Sequence, residues 1–412
     1  MNEPKITVIV PTRERCDVLA KTLHTIVAQD YDQLEIVVSD NFSPDGTRET
    51  VEALRDPRVR YINTGQRLSM SHNWEFALSH VRTGWVTILG DDDGLLPNAL
   101  TKVAELIRNH QVEAVRSRVC SYAWPSTGNQ PFGSLSVPLA SGVELRRSSD
   151  WLERVLSGRA PYTDLPMLYN GGFVACDVLN RIRHTTGSFY RSSIPDVYAA
   201  IAIASVTERY AFSHEPLAIN GASRHSTGTA YFSSRPKALT SSADLFHSEG
   251  IIPVHPDFPV ADDGRFPRSL QAMVFESYLQ STALRPLAEQ LPRAKQLEVV
   301  LSANLQNDPD IEQWGQRFAQ MHGLDYSDIK RASVKTRLRQ RLSAAGRNFI
   351  DEVRTFQCGS RDLPLHDVCE AAIAAASILQ VSVHRRSWLG VLSRRLNARL
   401  GTRAHRLGAQ IP

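Results

Sequence analysis

Three consecutive carboxylates, Asp91, Asp92 and Asp93, follow the apolar run VTILG and precede Gly94 and Pro97. Adjacent carboxylates repel one another, and dehydration raises that cost unless donors, water or a cation compensate. At the end of a buried strand such a cluster can offer oxygen ligands to a hard divalent cation and leave room for phosphate oxygens. It can equally serve as a solvated acidic turn or a helix N-cap, where aspartate is common. Asp40 closes VVSDN and could accept a hydrogen bond from a base or sugar, or cap the next turn. Thr12 and Arg13 end the first apolar run; the planar guanidinium of Arg13 suits a diphosphate as well as a surface ion pair.

A separate carboxylate lies in IPDVYAAIAIA, where Pro195 restricts a helix entrance and Asp196 either caps the helix or lies near its start. Tyr198, Ile201 and Val206 can pack behind it. Asp164 in YTDLP and Asp177 in VACDVL are alternative proton acceptors. Gly171 in the GGF segment could let backbone approach a sugar or phosphate, or could make a tight turn. In NGASRHSTG, Arg224 and His225 could close over a phosphate, although a lone histidine is more often a surface or packing residue.

Elements to hold these residues can be read from periodicity. KITVIV predicts a strand, and Leu19, Leu23, Ile26 and Val27 give helical spacing over 18–29. LEIVVSD at 34–40, VRYI at 59–62 and WVTIL at 85–89 predict further strands. Helices are expected over 47–54, through Met70, Trp74, Ala77 and Val81, and after Pro97. This alternation predicts an α/β fold with a parallel sheet, whose sites lie beyond the strand C-termini.

From 120 to 235 the pattern is less regular. Beyond it MVFESYL, IEQWGQRFAQM, VKTRLRQRL and HDVCEAAIAAA predict a mainly helical region, with a boundary near 235–265. The chain is thus read as a catalytic domain over 1–240, with a donor half 1–120 and an acceptor-facing half 121–240, followed by a helical region 241–412.

Four hundred and twelve residues, 42% hydrophobic, can build a large core and exclude a single small module. A formal charge of +4, from 47 basic and 43 acidic residues, gives little support for nucleic-acid binding. Five widely spaced cysteines suggest neither a zinc finger nor a disulfide framework. The N-terminus does not read as a signal peptide, and no apolar stretch has the length of a spanning helix, so a cytoplasmic protein is expected.

The order VIVPTRER, EIVVSDN, NTGQRLSMSHNWEFAL, WVTILGDDDGLLP resembles family 2 glycosyltransferases of the GT-A fold over roughly the first 100 residues. The resemblance implies a nucleotide-diphospho-sugar transferase that inverts the anomeric centre and uses Mn²⁺ or Mg²⁺. It implies that Pro11, Thr12 and Glu14 shape the nucleotide pocket and that Asp40 contacts the base, usually uracil or thymine, hence a UDP-sugar or dTDP-sugar donor. Asn63, Gly65 and the 71–73 segment resemble the part supporting ribose and diphosphate, with Asn73 either a contact or a structural amide. Many relatives carry Asp-any-Asp-Asp before the proline; Gly90 stands here where the first aspartate falls. Aligned on Pro97, Asp92 and Asp93 are expected near the cation and Asp91 on the sugar nucleotide. Asp196 matches the expected base, with Pro195 replacing a glutamate. Glycan or glycolipid synthesis at the cell surface, with a glycan or lipid-linked acceptor, follows from the same resemblance.

Trp388, Leu389, Leu392, Leu396 and Leu400 recur at near-helical spacing among arginines, a pattern for an anionic membrane interface, for docking on the catalytic domain or for a homo-oligomer. KRASVKTRLRQRL repeats the charge bias. Two other functions stay in view: a sugar nucleotidylyltransferase, disfavoured because VPTRERCDVL lacks a glycine-rich phosphate loop, and a nonenzymatic protein that binds anionic surfaces. No specific nucleic-acid module is visible.

Overall fold

The computed structural model describes residues 3–125, 131–225, 252–260, 266–286 and 290–384. The chain opens β1 (Ile6–Thr12), α1 (Cys16–Val27), β2 (Leu34–Asp40), α2 (Thr47–Glu52), β3 (Val59–Asn63), α3 (Met70–Ser79) and β4 (Trp85–Ile88). Every residue of β1 is buried, as a continuous apolar run in a sheet covered on both faces must be. Leu19, Leu23 and Ile26 of α1 are fully buried, each contributing about 1.5–3 kcal/mol of transfer free energy. These four strands lie parallel in the order β3-β2-β1-β4.

The register decides what meets at the sheet edge. Thr12 is paired with Asp40, and Asp40 with Asn63, while Ile9 stands beside Ile88. The C-terminal ends of β1, β2 and β3 therefore align, and the acidic turn after β4 emerges next to Thr12.

Beyond β4 come β5 (Gly94–Leu95), α4 (Ala99–His110), β6 (Ala114–Ala123), β7 (Ser134–Pro138) and β8 (Val143–Arg147). They are followed by α5 (Ser148–Leu156), β9 (Gly172–Ala175), α6 (Cys176–Thr186), α7 (Pro195–Val206) and β10 (Arg209–Ala222). The wholly parallel sheet expected from the alternation holds for β1 to β4 and not further. β9 enters between β4 and β6 antiparallel to both, and β7 is antiparallel to β6. β10 runs parallel to β6 and antiparallel to β5 and β8. Its pairing with β5, immediately after the acidic turn, fastens that turn to residues 218–223.

The remainder is largely helical, as expected: α8 (Leu270–Gln280), α9 (Arg293–Ala303), α10 (Pro309–Met321), α11 (Tyr326–Val353) and α12 (Val368–His384). Phe275, Leu297, Trp314 and Phe318 share a core with Val197, Ile201 and Ala204 of α7. A short strand, β11 (Thr355–Cys358), extends the sheet through β7, and the sequence pattern did not predict it. Val368, Ala371 and Ala375 of α12 pack in one cluster with Val18 of α1, and Lys21 Nζ meets Asp367 at 2.8 Å. This is the GT-A arrangement, a mixed α/β sheet followed by a helical region. Among the described residues no helix is long and apolar enough to cross a membrane. The basic segment bearing Trp388 to Leu400 lies outside the described residues.

Candidate active site

The acidic turn is built by a glycine at its start and by hydroxyls from a neighbouring helix. Gly90 N–H donates to Asp93 Oδ2 at 3.0 Å, and Asp93 N–H returns to Gly90 O at 3.2 Å. A Cβ at position 90 would lie 2.6 Å from Asp93 Oδ2 and 2.9 Å from the Tyr169 hydroxyl oxygen. The space a first aspartate would need is thus filled by Asp93 itself. The Thr22 hydroxyl of α1 lies 2.8 Å from Asp91 O and 2.7 Å from Asp93 O, and Trp124 Nε1 donates to Asp92 O at 3.0 Å.

All three aspartates are buried, and each has its own protein partners. Asp91 accepts Thr12 Oγ1 and Arg15 Nη1, both at 2.9 Å. Burial raises its pKa, and the charge of Arg15 pulls it back. The other arm of Arg15 donates to the His225 carbonyl at 2.6 Å, so one guanidinium ties the turn to the segment after β10. Asp92 Oδ2 accepts Ser223 Oγ at 2.6 Å and Ser223 N–H at 3.2 Å. Asp93 accepts Gly221 N–H at 2.7 Å on Oδ1 and the Tyr169 hydroxyl at 2.9 Å on Oδ2. Burial, helped by the charge of Asp92, nevertheless pushes Asp93 up to about 8. Gly221 is obligatory here, because a Cβ would meet Asp92 O at 1.8 Å.

Asp40 is buried at the end of β2 and accepts Ser43 N–H at 3.0 Å, the Tyr61 hydroxyl at 2.5 Å and Asn63 Nδ2 at 2.9 Å. Asn63 Oδ1 in turn accepts Gly65 N–H at 2.8 Å. Pro11 is buried in β1, and Arg13 is half-buried just beyond it. Glu14 is exposed, in left-handed backbone at φ 53°, and pairs with Arg67. Asn73 accepts the Ser39 hydroxyl at 2.8 Å, an amide that locks α3 to β2. Arg224 and His225 both reach Asp17 in the first turn of α1, at 3.1 and 3.2 Å, beside the acidic turn.

Asp196 occupies the first turn of α7, after Pro195, and Ile194 rather than Asp196 is the N-cap. Its carboxylate accepts the Tyr162 hydroxyl at 2.7 Å. Burial raises its pKa, offset by that hydroxyl and by the Val197 N–H. Tyr169 is tied to the acidic turn. Its hydroxyl is bonded to Asp93, its ring stacks on Trp74 at 5.4 Å, and its pKa is raised by burial and then by the charges of Asp93, Asp92 and, more weakly, Asp196. Asp164 belongs to the 3₁₀ turn that carries Tyr162, where its carbonyl accepts the Tyr210 hydroxyl at 2.7 Å. Asp177 is exposed at the start of α6, near the opposite edge of the sheet, because Ala175 pairs with Trp85 at the beginning of β4. Gly171 makes a turn at φ 84°, and a Cβ there would lie 2.7 Å from Ser117 Oγ.

Sequence reasoning passed over Arg15, Thr22, Tyr162, Tyr169 and Ser223. Arg15 stood in the quoted VPTRER, but which of its two arginines faces the carboxylates depends on the left-handed turn at Glu14, a conformation a glutamate does not advertise. The two tyrosines lie outside any helical or alternating pattern. As to a cation, the acidic turn offers oxygen ligands only, the chemistry of Mg²⁺ and Mn²⁺. Asp92 and Asp93, adjacent and buried at the strand end, carry the carboxylate oxygens that such an ion takes. Among the described residues, no group of three or more His, Cys, Asp or Glu converges as a metal cluster.

Comparison with known proteins bears on the same part of the chain. The family model for glycosyl transferase family 2 matches residues 7–143. The GalNAc(5)-diNAcBac-PP-undecaprenol beta-1,3-glucosyltransferase of Campylobacter jejuni is 38% identical over 105 residues, 25% of this chain and 34% of that protein. The succinoglycan biosynthesis protein ExoO of Rhizobium meliloti is 25% identical over 184 residues, 45% of this chain and 46% of that protein. The chain therefore spans about a third to a half of the length of these curated relatives. Among solved structures, S. aureus TarS 1–349 in complex with UDP-GlcNAc superposes with a TM-score of 0.48 at 14% identity, covering 84% of this chain and 92% of that one. The match to glycosyl transferase family 2 thus falls on residues 7–143, the part of the chain that holds β1 to β4 and the acidic turn.

Proposed function

We infer that the chain transfers a sugar from a nucleoside-diphosphate sugar to a hydroxyl acceptor, with inversion, in the synthesis of a cell-surface glycan or glycolipid. Asp40 and Asn63 at the ends of β2 and β3 would receive the base and ribose, a uracil or thymine nucleotide being the reading for Asp40. Thr12, Arg13 and Glu14 would border the diphosphate with Arg224 and His225. Asp92 and Asp93 would hold Mn²⁺ or Mg²⁺, which when bound supplies positive charge against the leaving diphosphate. Asp91, anchored by Thr12 and Arg15, would orient the sugar nucleotide.

Asp196 would act as the base. Its carboxylate takes the proton of the acceptor hydroxyl as that oxygen bonds to the anomeric carbon, and the bond from that carbon to the diphosphate breaks with its electron pair leaving on the diphosphate. The reading is carried by the buried acidic turn beyond β4, where Asp93 accepts the Tyr169 hydroxyl, together with a second carboxylate, Asp196, held by Tyr162 at the start of α7; in this reading the two act on opposite ends of one donor sugar. The family match over residues 7–143 supports the donor class. The acceptor is read as a glycan or lipid-linked hydroxyl, met on the cytoplasmic side.

The test is release of nucleoside diphosphate from a panel of UDP-, dTDP- and GDP-sugars with and without Mn²⁺, for the parent chain and Asp196→Asn. Cation-dependent release that the substitution abolishes is the expected result. Pyrophosphate formation from a nucleoside triphosphate would replace this reading with nucleotidyl transfer.

A further inference from the structure

α11 carries a surface that the reaction does not use. Its 28 residues span about 42 Å, and among the described residues it meets the bundle through the face that carries Ser333, Thr336 and Arg337. On that face Ser333 is buried, Thr336 reaches Glu298, and Arg337 donates to the carbonyls of Leu301, Ser302 and Asn304, closing the end of α9. The opposite face holds Val334, Leu338 and Leu342, which are 61%, 61% and 69% exposed and recur every fourth residue. They form a continuous apolar ridge one helical turn apart. Side chains of this size left so open in a row are unlike the scattered apolar residues of an ordinary surface.

The charges beside the ridge select its partner. Between Asp328 and Asp351 the sequence has seven lysines and arginines and no acidic residue. Arg331, Lys335 and Arg339 follow one another at the same four-residue spacing along one flank, and Arg341 stands on the other; all four are exposed. Arg331 pairs with Asp328 at the end of the row, while among the described residues Lys335, Arg339 and Arg341 meet no carboxylate. An apolar ridge framed by cations matches an anionic lipid surface, where leucines enter the acyl boundary and the cations meet headgroup phosphates. A second copy docking through the same face would bring two acid-free basic rows together, and a nucleic acid would leave the leucines in water.

We propose that α11 is a membrane-contacting helix that lays Val334, Leu338 and Leu342 into an anionic bilayer interface. This contact is independent of the sugar-transfer reading, and it does not depend on the basic segment after residue 384.

The experiment is co-sedimentation of the full chain with vesicles of phosphatidylcholine alone and of phosphatidylcholine with phosphatidylglycerol, at low and high salt. Binding is expected only to the anionic vesicles and is weakened by salt. Arg331→Glu, Lys335→Glu and Arg339→Glu combined should lower partitioning by roughly a hundredfold or more, given the contribution of each cation near such a surface. Leu338→Ser with Leu342→Ser should lower it on the order of tenfold through lost apolar contact. The replaced side chains are solvent-exposed, so an unchanged melting curve is the control that both variants fold. Full binding by both variants overturns the proposal and assigns the contact elsewhere on the chain. So does salt-sensitive RNA binding, or self-association through the ridge, in place of vesicle binding.

Discussion

Tyr162 donates its hydroxyl to the carboxylate of Asp196 at 2.7 Å, joining a 3₁₀ turn before β9 to the first turn of α7. Burial raises the Asp196 pKa, and this hydrogen bond favours the ionised form and lowers it. As the proposed base, Asp196 must be ionised, so transfer is expected to fall as pH drops through that raised pKa. Tyr162→Phe removes the donor, and the acidic limb of the pH profile of kcat should move to higher pH by roughly one unit. Above the new limb kcat should recover toward the parent value, a result that simple misfolding would not give. Asp196→Asn should lower kcat by about 10²–10⁴ above the acidic limb and should remove the limb itself.

Arg15 compensates the most enclosed ion pair of the site, with side-chain exposures of 19% for the arginine and 3% for Asp91. Removing one partner leaves the other charge buried and unpaired, which costs about 3–5 kcal/mol when burial is complete. Arg15→Ala should therefore destabilise the chain by about 3 kcal/mol, toward the lower end because Thr12 still donates to Asp91. The double variant Arg15→Ala, Asp91→Asn should regain part of that loss, measured by urea unfolding. A double variant no more stable than Arg15→Ala alone would mean that the loss comes from the Arg15 contact to the His225 carbonyl instead.

The sequence carried the donor half well, because β1, β2 and β3 are short stretches rich in β-branched and aromatic residues that end in polar ones and alternate with helical spacing. Leu34–Asp40 was read at its observed bounds, and Cys16–Val27 within two residues. The site residues drawn from that half, Thr12, Asp40, Asn63 and the three aspartates, gather at one edge for the same reason. What could not be read is held by long-range contact. The end of β10 and the residue after it bring Gly221 and Ser223 to the acidic turn from about 130 residues away, and no local pattern marks them. The antiparallel insertion of β9 and the return of β11 to the sheet are likewise choices made by packing, since strands this short have no period of their own.

The close approach of β10 to the acidic turn gives a steric prediction. A methyl group at Gly221 would overlap Asp92 O at 1.8 Å, and one at Gly90 would press on Asp93 Oδ2 at 2.6 Å. The first obstacle is backbone and cannot swing aside, whereas the second is a side chain. Gly221→Ala should thus be the more damaging of the two, lowering stability by at least about 3 kcal/mol or preventing soluble expression, and Gly90→Ala should cost roughly 1–3 kcal/mol. Thermal unfolding of the two variants side by side checks the order.

The buried Asp93 carboxyl contributes a pH dependence to stability when no cation is bound. Its pKa, 3.8 in an ordinary setting, is pushed up to about 8 by burial and by the charge of Asp92. Between those values the folded chain keeps a proton that the unfolded chain releases, so stability falls as pH rises through the window. The contribution is full below the unfolded pKa and is lost as pH passes the folded one. The melting temperature of the metal-free chain should accordingly carry a downward component between about pH 5 and pH 8. Asp93→Asn, which cannot ionise, should remove that component while losing acceptor capacity toward Gly90 N–H and the Tyr169 hydroxyl. Millimolar Mn²⁺ should flatten the parent profile by stabilising the ionised carboxylate, and should do little to the Asp93→Asn profile. If the variant keeps the parent's slope, the proton belongs to another buried acid, such as Glu276 under Ser192. If Mn²⁺ leaves the parent profile unchanged, Asp93 has no part in holding a cation.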